Sequence, residues 1–294
     1  MHKFLRTAGF SMYQKKKDIN ALLKCLAKDS NASKCIQIDR DTNLCEIRSE
    51  VAPGIGIAMF GEMNEKDELE VEYYYPYLKN DQVTSAAECS VQRHAEKETY
   101  AGLLDEYKVG ISLIFYLINS MDFREEALKS KPSIKVENVC LSALSVHGKI
   151  LLPIKKTANQ IEISKVASRN RDSLMEAAKN GDEDAMESLT IEDIDLYSRA
   201  SRRAINEDIY SIVDTCFMPS GIECDQYSVV GEITEIVLKK NRITGEEIYD
   251  FQLDCNDLFF RVAINKMDLL GEPQVGRRFK GRIWMQGKAN LKTT

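Results

Sequence analysis

The chain has one tryptophan, three histidines and six prolines in 294 residues, and its eight cysteines form no C-x-x-C pair. So few histidines leave little room for a Ser-His-Asp or Cys-His catalytic set, and cysteines dispersed in this way have poor zinc-ligand spacing. No apolar run approaches the roughly 20 residues that span a bilayer; the longest is Leu113–Ile118. At the N-terminus, Arg6, Gln14 and Lys15–Lys17 interrupt any apolar stretch, so no secretory signal is expected there. Neither sign of charge dominates: 40 basic and 46 acidic side chains leave a net charge of −6, and nucleic acid or an anionic membrane could be met only by a local patch. These absences predict a cytoplasmic protein with eight reduced thiols and no metal, cofactor or membrane segment.

With 44% hydrophobic and 29% charged residues, the composition is that of an ordinary globular protein. Charge divides the chain into three regions. Residues 1–159 carry 22 basic and 22 acidic groups, 160–225 carry 7 and 15, and 226–294 carry 11 and 9. Periodicity follows the same boundaries, helical in the middle and alternating on both flanks. In 1–159 the pattern predicts a strand over 3–9, a helix over Lys15–Ala27, and strands at Lys34–Ile38, Leu44–Val51, Ile55–Glu62 and Leu69–Tyr77. Further strands are expected at Glu88–Arg93 and Val109–Ile118, then a hairpin Val136–Val146/Lys149–Ile154 turned by His147-Gly148. In 160–225 a helix capped by Ser168 ends at Asn180-Gly181, a short one covers Asp182–Leu189, and a third starts at Thr190. Leu174–Leu189 is similar to one unit of a helical solenoid, but no second copy exists. The result is an α+β chain: an N-terminal α+β domain, an acidic helical connector, and a third region.

Residues 226–294 alternate most cleanly, in Tyr227–Lys239, Glu247–Cys255, Leu258–Asn265 and Arg278–Gln286, with turn residues at the joints and Gly231 as a bend. Four or five strands in so short a span predict a small antiparallel β-barrel of the OB or SH3-like kind. Parity puts Tyr249, Phe251, Leu253 and Cys255 on its apolar face and Asp250, Gln252 and Asp254 opposite. In the last strand Phe279, Gly281, Ile283 and Met285 turn inward, while Arg278, Lys280, Arg282, Trp284, Gln286 and Lys288 share the other face. A tryptophan among cations suits stacking on a base or other planar anion, and Lys239, Lys240 and Arg242 would extend that surface. Two packing readings compete: Trp284 lies against the N-terminal domain or the acidic helices, or the basic stripe pairs with Asp250 and Asp254.

Leu253-Asp254-Cys255-Asn256, Ile264-Asn265-Lys266, the run Gly271–Gly281 and Trp284-Met285-Gln286-Gly287, together with Phe4-Leu5-Arg6 and Gly9-Phe10-Ser11 at the start, resemble a family of uncharacterised bacterial proteins of about this length. That resemblance implies no activity, cofactor or catalytic residue. Asn265-Lys266-Met267-Asp268 matches the guanine-reading N-K-x-D of GTPases, but no phosphate-binding G-x-x-x-x-G-K-[ST] precedes it, so a structural turn is expected. Gly54-Ile55-Gly56 with Gly61 fails G-x-G-x-x-G. The β-α-β-β-β order expected over 1–78 is similar to the module of glyoxalase-type metal enzymes, yet its first strand offers only His2 as a ligand. Asp195 with Arg199 and Arg203 with Glu207 stand at i, i+4 and should pair.

The reading is a non-catalytic binding or scaffolding protein with a nucleic acid, nucleotide or protein partner on the C-terminal barrel. The alternative is an enzyme acting in a cleft between the N-terminal domain and the barrel, with His94 and a nearby carboxylate as acid and base.

Overall fold

A computed structural model describes residues 2–30, 32–37, 43–93, 99–129, 134–154, 158–222 and 224–292. The fold is α+β with two sheets. After a 3-10 turn at Lys3–Ala8 come α1 (Lys16–Lys28), β1 (Ala32–Gln37), β2 (Asn43–Ala52), β3 (Ile55–Met63) and β4 (Leu69–Leu78). These four strands form an antiparallel meander in the order β1-β2-β3-β4. α1 buries Ile19, Leu22, Leu23 and Leu26 at helical spacing in the same core as Ile47 and Val51 of β2.

The second sheet collects the rest: β5 (Cys89–Arg93), β6 (Tyr100–Glu106), β7 (Ile111–Leu117), β8 (Val136–Leu151), β9 (Cys216–Pro219), β10 (Gln226–Lys240), β11 (Glu247–Cys255), β12 (Leu258–Asn265), β13 (Leu269–Leu270) and β14 (Arg278–Leu291). Helix α2 (Ser120–Lys129) precedes β8. Between β8 and β9 run α3 (Ala158–Lys179), α4 (Glu183–Ala204) and α5 (Ile209–Ile212). β8, β12, β11, β10 and β14 pair in turn, and β14 pairs back onto β8, so five strands close a ring. Phe251, Leu253, Cys255, Phe260, Val262, Phe279, Ile283 and Met285 belong to a single apolar core with Leu141 and Ala143 of β8. The alternation expected in β11 and β14 is therefore present. Pairing crosses the expected boundary at 159/160, because β14 bonds to β8 along its length and β12 runs parallel to β8.

Several local expectations are corrected. Residues 3–8 are a 3-10 turn, not a strand, so the glyoxalase-like strand order is absent. The turn ends at Gly9 with φ +83°, a left-handed conformation. A Cβ there would also stand 2.8 Å from the Asn241 Cβ. His147-Gly148 does not turn a hairpin: β8 continues through it, with a bulge at Val146-His147 opposite Arg282 where its register with β14 shifts. Gly148 faces Gly281 of β14, and a Cβ at Gly148 would come within 2.4 Å of the Phe279 ring, so the glycine makes room for an aromatic. In the middle region α3 begins ten residues before Ser168. The two expected helices after Gly181 are one, capped by Asp182, whose carboxylate accepts from the Ala185 N–H at 3.0 Å. Thr190 caps nothing; its hydroxyl donates to the Met186 carbonyl one turn back. The strand β6 and helix α2 had no clear signal in the sequence.

The even face of β14 is not a continuous exposed strip: the first sheet and the N-terminal turn lie on Trp284 and Gln286, while Arg282 stays exposed. Trp284 is 5% exposed, stacked on Phe4 at 5.2 Å and ringed by His2, Tyr75 and Tyr116. Its indole N–H donates to Asp225 at 2.6 Å. Gln286 spends both ends of its amide on β4, accepting from the Leu78 N–H at 3.2 Å and donating to the Pro76 carbonyl at 2.8 Å. The eight thiols are not all free: Cys35 and Cys45 face each other across β1 and β2 and are joined in a disulfide. Register on adjacent antiparallel strands brings together cysteines that sequence spacing did not pair.

Trp284→Ala should lower unfolding stability by about 3–5 kcal/mol, read in a denaturant titration; a loss under about 1 kcal/mol would place the indole outside the core. Thiol titration in denaturant should count six before reductant and eight after it; eight at the outset would refute the cross-link.

Candidate functional site

A recess beside β2 arises from unequal strand lengths. Among the described residues, pairing of β1 to β2 ends at Ala32↔Arg48, while β2 continues to Ala52, so the edge of β2 beyond Arg48 has no described β1 neighbour. The loop between β10 and β11 covers part of that edge. The Arg242 N–H donates to the Val51 carbonyl at 2.8 Å and its Nε to the Glu50 carbonyl at 3.0 Å. What stays open is a cleft of about 460 Å³ lined by Asp29, Ser30, Arg48, Ser49, Glu50, Tyr77, Lys79 and Arg242.

The loop is held firmly. Asn241 is buried, donates from Nδ2 to the Ala8 carbonyl at 2.6 Å and accepts from the N–H groups of Ile243 and Thr244. The Thr244 hydroxyl donates to the Gly9 carbonyl at 2.7 Å, and Ser11 donates to Glu246. Asn265 joins the same network, donating to the Arg6 carbonyl at 3.1 Å and to Glu246 at 2.6 Å, while Asp268 receives the Arg6 guanidinium. Asn265 and Asp268 of the N-K-x-D string thus hold the N-terminal turn in place.

Charge in the cleft is mixed, with three cations and two carboxylates. Arg242 pairs with Asp29 at 2.6 Å, and Lys79 stands 3.7 Å from Glu50. Arg48 pairs with Glu46 at 2.6 Å and lies over the Tyr77 ring at 5.4 Å. Burial pushes the Tyr77 phenol up to about 12, so it is a neutral hydroxyl at physiological pH. The Ser49 hydroxyl is buried with no hydrogen-bond partner. A buried polar atom left unpaired costs about 1–3 kcal/mol. Among the described residues no histidine lines the cleft.

The other expected site residues are dispersed. Arg278 is buried and donates to the carbonyls of Leu152, Tyr210, Val213 and Asp214, tying the end of β8 to the segment before β9. Lys280 lies over the Tyr210 ring at 4.1 Å. Lys239 pairs with the fully buried Asp250 at 2.6 Å, which also takes Arg261 at 2.8 Å, so the strand-to-strand pairing reading describes Lys239. Lys240, Arg242 and Arg282 remain exposed, and only Arg242 reaches the cleft. Trp284 and Gln286 lie under the first sheet, as one of the packing readings had it. His94 lies outside the described residues. Among the described residues no cluster of His, Cys, Asp or Glu is disposed to hold a metal ion, and no helix is long and apolar enough to cross a membrane. The cleft was not legible in the sequence, since its walls come from the end of α1, β2, β4 and a loop some 190 residues later; only Arg242 carried a signal.

The sequence profile of a family described as a domain of unknown function, E. rectale gene description (DUF3881), matches residues 5–287. The chain belongs to the DUF3881 family. That span holds nearly every residue of the resemblance noted above, from Leu5-Arg6 to Gly287, and the two ends meet in space through Arg6 with Asp268 and Asn265. No curated protein and no solved structure matches this DUF3881 chain.

Burial also drives the pKa of His2 down from 6.5 to about 4. The imidazole takes up its proton later in the folded chain than in the unfolded one, so stability should fall as pH drops from about 6.5 to about 4, by up to about 3 kcal/mol. His2→Phe should flatten that part of the pH–stability profile; an unchanged profile would mean that His2 titrates in solvent.

Proposed function

We propose that this DUF3881 protein is a non-catalytic binding protein that takes a small polar anion, carrying a carboxylate or phosphate, in the cleft on the open edge of β2. The observation that carries this reading is the convergence of Arg48, Lys79 and Arg242 on one recess, with the backbone edge of β2 beside them. A guanidinium and an ammonium already near carboxylates exchange those partners readily for a ligand anion, because exposed ion pairs contribute only about 0–1 kcal/mol. Asp29 and Glu50 favour a ligand that also bears hydroxyls or an amine over a bare polyanion. In this reading the ring of β8, β10, β11, β12 and β14 serves as a small OB-like barrel, with the β10–β11 loop as its ligand-facing element. The exposed remainder of the basic strip, Lys240, Arg242 and Arg282, is thin support for a nucleic-acid interface. The six free thiols speak for the cytoplasm, and oxidation confined to facing strand neighbours is reversible there.

The test is calorimetric titration of the full chain with inorganic phosphate, a hexose phosphate and a hydroxycarboxylate, beside thermal unfolding. At least one should bind saturably and raise the melting temperature, as a ligand of the native state must; at 100 times Kd the gain is about 2.7 kcal/mol. Lys79→Gln and Arg242→Ala should each weaken that binding about tenfold or more. No heat and no shift with any of the three, or binding unchanged in both variants, would contradict the proposal.

A further inference from the structure

Helix α4 carries an apolar stripe that no other described residue covers. Ile191, Ile194 and Tyr197 follow at three-residue spacing, with Met186 before them and Ile205 just past the helix end; Tyr197 is 76% exposed and Ile194 63%. Such spacing places them along one side of a helix. α3 packs elsewhere on α4, where Arg171 reaches Asp193 at 2.7 Å and Glu192 at 3.5 Å. A run of large apolar side chains left in water on one helix face marks an association surface.

Charge along α4 selects the occupant. All six acids, Glu183, Asp184, Glu187, Glu192, Asp193 and Asp195, precede Leu196, and all three arginines, Arg199, Arg202 and Arg203, follow it. The outermost charges are uncommitted: among the described residues Glu183, Asp184 and Glu187 make no ion pair, and the Arg202 side chain donates only to the Ser198 carbonyl of its own helix. A parallel neighbour would bring acid to acid. An antiparallel copy of the same helix brings the acidic half of each to the basic half of the other.

We infer that the chain forms a two-fold dimer by antiparallel packing of α4 on α4 of a second copy. With the axis between Ile194 and Tyr197, Ile194 of each copy meets Tyr197 of the other, and Met186 meets Ile205. Glu187 then lies beside Arg202 of the second copy. The same patch serves both subunits, as a two-fold interface requires. The inference is independent of the anion cleft, which lies on another part of the chain.

Sedimentation equilibrium of the full chain, with circular dichroism to verify that each variant keeps its helix content, tests this. The wild type should be a monomer–dimer system that weakens with salt. Ile194→Asp should raise the dissociation constant at least about a hundredfold and Arg202→Glu about tenfold. The double reversal Glu187→Arg/Arg202→Glu should restore most of the loss, because it rebuilds the pair with its signs exchanged. A wild type that stays monomeric at high concentration, a dimer indifferent to Ile194→Asp, or a double reversal no tighter than Arg202→Glu alone would each overturn the proposal.

Discussion

β14 and β8 each serve two cores, as β11 and β12 do at Ile248 and Ala263, and the rest of the structure depends on it. β14 and β8 give one set of side chains, Phe279, Ile283, Met285, Leu141 and Ala143, to the core inside the five-strand ring. They give the other, Trp284 and Leu144, to the core under the first sheet. Since successive side chains on a strand point to opposite faces, one segment serves two cores without a break. The polar groups trapped in that seam are satisfied across it: Gln286 holds the backbone of β4, Ser142 donates to Leu78 at 2.7 Å, and Asn80 donates to Leu141 at 2.7 Å. A one-residue slip of β14 would turn Phe279, Ile283 and Met285 out of the ring and Lys280 and Arg282 into it, so the register is strongly fixed.

The same seam explains why the two ends of the chain act together. The N-terminal turn offers Phe4 to Trp284, Arg6 to Asp268, and the carbonyls of Ala8 and Gly9 to Asn241 and Thr244. By fixing Asn241 it also fixes Arg242, the residue that covers the unpaired edge of β2. Residues at the two ends of the chain therefore set the geometry of the cleft together. The mixed charge there follows from the edge: free strand backbone invites guanidinium and hydroxyl donors, and acids on neighbouring elements hold those donors in place.

Legibility in the sequence tracked how local the cause of each element is. β11 and β12 were read to the residue, because alternation is local and Asn256-Asp257, both at positive φ, marks the turn between them. α1 was as clear, since its four leucine and isoleucine positions need only one face to be buried. Reading failed where a residue's role is set by something distant. Gly148 looks like a turn and is a clearance for Phe279, contributed by a strand more than a hundred residues later. Trp284 looks like an exposed aromatic among cations because parity tells which residues share a face, and not whether a second sheet will lie on it. The cleft was hidden for the same reason, as it exists only where β1 happens to end before β2.

The central claim is that the two sheets are one cooperative unit joined through β8 and β14. Native-state hydrogen exchange at rising sub-denaturing concentrations of denaturant tests it most directly, through the slowest amides of β3 in the first sheet and of β11 in the ring. The account predicts that both sets merge into one opening with the same free energy and the same denaturant dependence. Persistent protection of β11 after β3 has exchanged would show that residues 226–294 stand as a separate barrel, and would contradict it.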